Sequence, residues 1–106
     1  MTIKLPKQPD SLVRQLAKAL KKYNAVHPNA KIEIKRQNPV SVRIRVIDPD
    51  FANKSKVDRE EEVWAALQDV PDAAVSEITV LLLLTEEEAA ESFANYDFDH
   101  PIRSRL

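Results

Sequence analysis

Apolar residues recur along this chain with two periods, and the switch between them marks out the elements. Leu12, Val13, Leu16, Leu20 and Tyr23 return at helical spacing, which predicts an amphipathic helix over about 12–23 with one buried stripe. Arg14, Lys18, Lys21 and Lys22 return at the same spacing on another side and predict a basic ridge facing solvent. Pro9-Asp10-Ser11 supplies side-chain oxygens suited to capping its start. From Ala30 the period drops to two: Ala30, Ile32 and Ile34 alternate with Lys31, Glu33 and Lys35. After Asn38-Pro39 turns the chain, Val40, Val42, Ile44 and Val46 alternate with Ser41, Arg43 and Arg45. Two such segments predict an antiparallel hairpin with one apolar face. Its other face is a candidate basic surface carrying Lys31, Lys35, Arg43 and Arg45.

Residues 48–56 then read as a loop. Asp58 followed by Glu61 has the spacing of a capping box, and Glu60, Glu61 and Glu62 sit at the positive end of the helix dipole. A second helix is expected to about Gln68, with Val63, Trp64 and Leu67 as its buried stripe. Pro71-Asp72 ends it before an apolar strand over 75–84. A strand, a helix and a further strand normally make a right-handed crossover, so this strand is expected parallel to the second strand of the hairpin. If Leu82 and Leu84 face the core, Leu81 and Leu83 face the other side of the sheet, where none of the predicted elements covers them. Leu81 and Leu83 are therefore a candidate apolar interface, to be buried by Phe93, Tyr96 and Phe98 folding back or by a second copy of the chain. Thr85 and Glu88 form another capping box and predict a last helix. The expected fold is α+β in two layers, a three-stranded mixed sheet with helices on one face and the order α-β-β-α-β-α. Residues 1–8 and 97–106 are expected to be flexible.

The 106 residues are 43% hydrophobic, enough for one core and too few for two ordinary domains. The longest apolar run, Val80 to Leu84, is far below the roughly 20 residues that span a bilayer, and no charged-then-apolar leader follows Met1. The expected setting is the cytoplasm, with no membrane partner. The absence of cysteine excludes disulfides and thiolate metal sites, and the absence of glycine excludes the loops that bring backbone close to phosphate. The net charge of −1 hides a division into +9 over residues 1–56 and −10 over residues 57–106. Either the halves neutralise one another on packing, or a basic face is kept for an anionic partner such as nucleic acid.

Nothing in the sequence sets a nucleophile beside a base, so no catalytic residue is named and no cofactor is called for; an enzyme built on carboxylate pairs is the least supported class. His27 and His100 each precede a proline and lack a second histidine at ligand spacing, which predicts loop residues. Asp97-Phe98-Asp99-His100 gathers oxygen and imidazole donors, but its structural expectation is a polar tail, so no metal ligand is assigned.

The element order resembles that of the BolA-like proteins, which share their arrangement with the second type of KH domain. Phe51, Lys54, Val57 and Arg59 stand in register with that family's loop before the helix, and Thr85-Glu86-Glu87 with its helix start after the strand. Asn53 stands where the family has glycine, and Glu60 where it has the histidine of its metal site. A carboxylate is a harder ligand than imidazole, which argues against the family's iron–sulfur handling in this chain. A KH-type backbone clamp on nucleic acid is excluded for want of glycine. The resemblance implies a non-enzymatic domain that binds a protein partner or itself, with Phe51, Lys54, Lys56, Arg59 and Glu60 as a candidate interaction loop. The alternative is weak, salt-dependent binding of nucleic acid on the basic half.

Overall fold

The structure, a computed structural model, describes residues 2–100. A short strand β1 (Thr2–Lys4) leads to helix α1 (Ser11–Val26) and the hairpin β2 (Lys31–Asn38) and β3 (Ser41–Ile47). A single 3-10 turn, Pro49–Phe51, precedes helix α2 (Lys56–Ala66) and the one-turn helix α3 (Asp72–Val75). Strand β4 (Ile78–Leu84) and two short helices, α4 (Glu86–Glu91) and α5 (Phe93–Asp99), complete the domain. The fold is α+β, with a mixed four-stranded sheet in the order β1-β2-β3-β4. β1 runs parallel to β2, β2 antiparallel to β3, and β3 parallel to β4.

Local chemistry sets the boundaries. Asp10 caps α1 by accepting from the Val13 amide at 2.9 Å, and the Asn38 side chain holds the hairpin turn by accepting from the Val40 amide at 2.9 Å. The cap of α2 is Ser55, which accepts from the Asp58 amide at 3.1 Å, so the cap lies three residues before the expected Asp58. Thr85 and Glu88 exchange both bonds of a capping box, as the sequence predicts.

α1, α2 and α3 cover one face of the sheet. Val13, Leu16 and Leu20 of α1 and Val63 of α2, with Leu67 just beyond it, pack on Ile32, Ile34, Val42, Ile44 and Val46. Three expectations fail here. First, the sheet has a fourth strand: Thr2–Lys4 pairs with Lys31–Glu33, although residues 1–8 were expected to be flexible. Three residues are too few to display a period of two, so the strand leaves no pattern in the sequence.

Second, Leu81 and Leu83 face the core. Leu81 lies opposite Ile44 and Leu83 opposite Val46, and Leu83 is buried. The cause is an irregularity at the start of β4: Val42 pairs with Ile78 but Arg43 pairs with Val80, so Thr79 is an extra residue. One inserted residue moves every later side chain to the opposite face. Val80, Leu82 and Leu84 are thereby sent to the side away from α1.

Third, helices lie on both faces. α5 folds over the far side and buries Phe98, so residues 97–99 belong to a helix packed on the sheet. Residues 101–106 lie outside the described residues, as does the Phe93 side chain; Tyr96 is exposed. Trp64 also departs from expectation. At 38% exposure it lies beside the α2 stripe, because it is one residue, about 100° of helix turn, from Val63.

Candidate functional site

The loop from β3 to α2 is mostly packing. Phe51 is fully buried, with its ring 6.3 Å from that of Tyr23 and the Arg59 guanidinium 5.5 Å from its centroid. Arg59 is buried too. It donates to the carbonyls of Lys54 and Leu83 at 3.1 Å each and to both carboxylate oxygens of Glu88 at 2.7 and 3.1 Å. It thus ties α2 to the end of β4 and to α4. Lys54 donates to Glu62 at 2.5 Å, whereas Lys56 and Glu60 are exposed on α2. Of the five residues of the candidate interaction loop, Phe51 and Arg59 are committed to the interior and Lys54 to a neighbour. Asn53 adopts φ 66°, the left-handed conformation that glycine enters without strain and asparagine tolerates better than most residues.

The candidate basic face exists as a geometric surface but is covered and neutralised. The Phe98 ring lies 4.9 Å from Lys35 Nζ, 4.9 Å from the Arg43 guanidinium carbon and 4.6 Å from that of Arg45. Arg43 donates to the Phe98 carbonyl at 2.7 Å, and Arg45 to Asp99 at 2.9 Å and to Glu33. Lys35 bonds Asp99 at 3.1 Å and Lys31 bonds Glu86 at 2.8 Å. The opposed charges of the two halves meet in the fold. A free basic sheet face is therefore not what the strand cations make.

Three of the carboxylates in these pairings and caps titrate below their usual range. The Arg59 fork, then the Thr85 amide, lowers Glu88 to about 2. The Arg45 bond lowers Asp99, and the Val13 amide lowers Asp10. A carboxylate whose folded pKa is depressed stabilises the fold above its unfolded pKa and loses that contribution as pH falls through the folded value. The urea midpoint is accordingly expected to hold from pH 7 to about 5 and to fall between pH 4.5 and 2. Glu88, 44% exposed, contributes about 1 kcal/mol of this after solvent screening. A midpoint unchanged down to pH 2 contradicts these pairings.

A polar cluster forms where α1 ends. His27, the C-cap of α1, stacks on Tyr23 with centroids 4.3 Å apart. Its Nδ1 lies 2.7 Å from an Asp50 oxygen and 3.5 Å from Asp48 Oδ2, and its Nε2 lies 3.7 Å from Glu62 Oε2. Asp48 is fully buried. It accepts from the Tyr23 hydroxyl at 2.6 Å and from the Asp50 amide at 2.9 Å. Burial, then the Asp48 bond, raises the Tyr23 phenol far above its ordinary value, which keeps it a neutral donor. Beside the cluster is a depression of about 410 Å³ lined by Tyr23, Val26, His27, Glu62 and Ala66. Sequence reasoning set His27 aside as a loop residue for want of nearby ligands; folding supplies them from the β3–α2 loop. The available signal was Tyr23 and His27 at i and i+4 on one helix face, ahead of an Asp48-Pro49 turn. The other histidine run does not assemble in this way: Asp99 is held by Arg45 and Lys35, and His100 stacks on Tyr96 at 4.3 Å.

The second open feature is β4, the edge of the sheet. Its seven residues, ITVLLLL, carry no charge, whereas the other edge is the three-residue β1. Leu84 O accepts from the Asp48 amide on the β3 side, while Leu83 O is reached from outside by Arg59. Backbone groups alternate along a parallel ladder, so Leu81 and Leu83 present their amides away from β3. Along Leu81–Leu84 the edge floors a groove of about 240 Å³ walled by Lys56, Arg59 and Glu60 on one side and Ser92 and Ala94 on the other. Ile78–Val80 lies outside this groove, and Thr79 and Val80 are exposed. No helix among the described residues is long and apolar enough to cross a membrane. No family model, curated protein or solved structure matches the chain.

Proposed function

We propose that this chain is a non-enzymatic, BolA-like interaction domain that binds a second copy of itself by pairing β4 edge to edge. The observation that carries the reading is β4 itself, a long, uncharged edge strand with outward amides, which is the template that proteins otherwise blunt with charge, proline or a covering element. Lys4 and brevity blunt the β1 edge; on β4 the Leu83 carbonyl is taken by Arg59, while the outward amides of Leu81 and Leu83 have no strand beside them among the described residues.

The choice of a second copy over another strand follows from the shape of the edge. Each chain offers a walled half, Leu81–Leu84, and an open half, Ile78–Val80. A two-fold axis near Val80 sets the open half of one copy into the walled half of the other, as an isologous interface requires. The same operation carries Glu77 of one copy, which Arg36 of its own chain also holds at 2.6 Å, toward Lys56 of the other, and Lys56 has no ion pair among the described residues. The family resemblance supports an interaction role through the order of α1, β2, β3, α2 and β4. It is further supported by buried Phe51 and by Asn53, whose left-handed backbone suits a position where the family has glycine. The alternative of nucleic-acid binding loses four strand cations to internal partners, which leaves the α1 ridge of Arg14, Lys18 and Lys21 as its basis.

Light scattering over a range of concentrations tests the reading. The intact chain is expected to reach the mass of two chains. Val80→Lys, which sets like charges face to face near the axis, is expected to weaken the dimer roughly tenfold or more. Val80 is 37% exposed, so the variant monomer keeps its fold, which circular dichroism checks. A monomeric intact chain at every concentration, or a Val80→Lys dimer as tight as the parent, overturns the reading.

A further inference from the structure

The cluster at the end of α1 has the layout of a metal centre. We propose that His27, Asp48 and Asp50 bind one divalent ion of the zinc class. Their donor atoms lie within 4.8 Å of one another, one imidazole nitrogen and two carboxylate oxygens. Three protein ligands with a position left for water is the ligand count of open zinc sites, and imidazole and carboxylate are both zinc donors. Imidazole selects against Mg²⁺ and Ca²⁺, which take six or more oxygens.

Rigidity is distributed as such a site needs. Asp48 is fixed, because the Tyr23 hydroxyl and the Asp50 amide occupy its two oxygens on one side each. His27 is fixed by stacking on Tyr23. Asp50 is the adjustable ligand: its side chain is half-exposed, and the 2.7 Å contact to Nδ1 opens to about 3.3 Å when an ion with bonds near 2 Å enters between them.

An independent observation lies on the other side of the ring. Glu62 Oε2 is a buried oxygen with no hydrogen-bond partner, 3.7 Å from His27 Nε2. An ion on Nδ1 fixes the imidazole proton on Nε2, on the side where Glu62 Oε2 lies 3.7 Å away. A small closure of that gap makes the carboxylate–histidine–metal arrangement that orients a ligand histidine. Without an ion, a His27 tautomer that donates from Nδ1 to Asp50 turns its Nε2 lone pair toward Glu62 Oε2.

The test titrates the intact chain with Zn²⁺ by calorimetry in a non-chelating buffer and with Co²⁺ by visible absorption. Mg²⁺ and Ca²⁺ serve as separate arms. One saturable site per chain is expected for Zn²⁺, with Co²⁺ d–d bands of low-coordinate N/O ligation. Loss of the site is expected in His27→Ala and in Asp50→Asn, the second at an exposed position where folding is not at stake. Glu62→Gln is expected to weaken binding about 10- to 100-fold, and His100→Ala to leave it unchanged. Absence of saturable Zn²⁺ binding, binding that survives in both His27→Ala and Asp50→Asn, or equal affinity for Mg²⁺ overturns the site.

Discussion

Phe98→Ala is expected to lower the free energy of unfolding by about 3–5 kcal/mol, the range for truncating a buried aromatic ring. Phe98 is 1% exposed and is sunk into the far face of the sheet. Its ring lies under three cations and its carbonyl accepts from Arg43. Truncation removes the apolar surface that holds α5 down and leaves Arg43 in a cavity. Asp99, the partner of Arg45 and Lys35, loses its anchorage at the same time. Urea unfolding followed by circular dichroism measures the loss. A loss below about 1 kcal/mol contradicts the assignment of α5 as the second layer.

Phe51→Ala carries the other large effect, again about 3–5 kcal/mol. Phe51 is completely buried between Tyr23, Arg59 and the α1–α2 core, so alanine leaves a cavity in the middle of the packing. Lys54→Ala, three residues on, is expected to cost within about 1 kcal/mol, since its pair with Glu62 is partly solvated. The contrast separates packing from surface in a loop whose sequence suggested one interaction motif. Equal effects of the two substitutions, read from urea midpoints, contradict it.

Much of the fold was legible where a period ran long enough. α1 and the β2–β3 hairpin follow from twelve and more residues of unbroken pattern, and the Thr85–Glu88 box announced α4. β1 was not legible because its pairing with β2 is made by backbone, and three residues display no alternation. The faces of β4 were inverted because one extra residue at Thr79 decides them, and a bulge has no composition of its own in a run of leucines. The strand cations share the sheet face that their alternation predicts, but their partners were not legible. Phe98, Asp99 and Glu86, which cover or pair with them, lie more than fifty residues away. The His27 cluster was missed for the same reason: its partners come from positions 48, 50 and 62, and no local spacing joins them.

What makes β4 the proposed interface is also what makes the proposal measurable. The amides of Leu81 and Leu83 point away from β3 and have no strand beside them among the described residues. Amide hydrogen exchange on these two positions, followed by NMR as the chain is concentrated, tests edge pairing directly. Edge-to-edge pairing predicts exchange that slows with concentration at Leu81 and Leu83 in the intact chain and stays fast in Val80→Lys. Fast exchange at both amides in the intact chain at every concentration contradicts it.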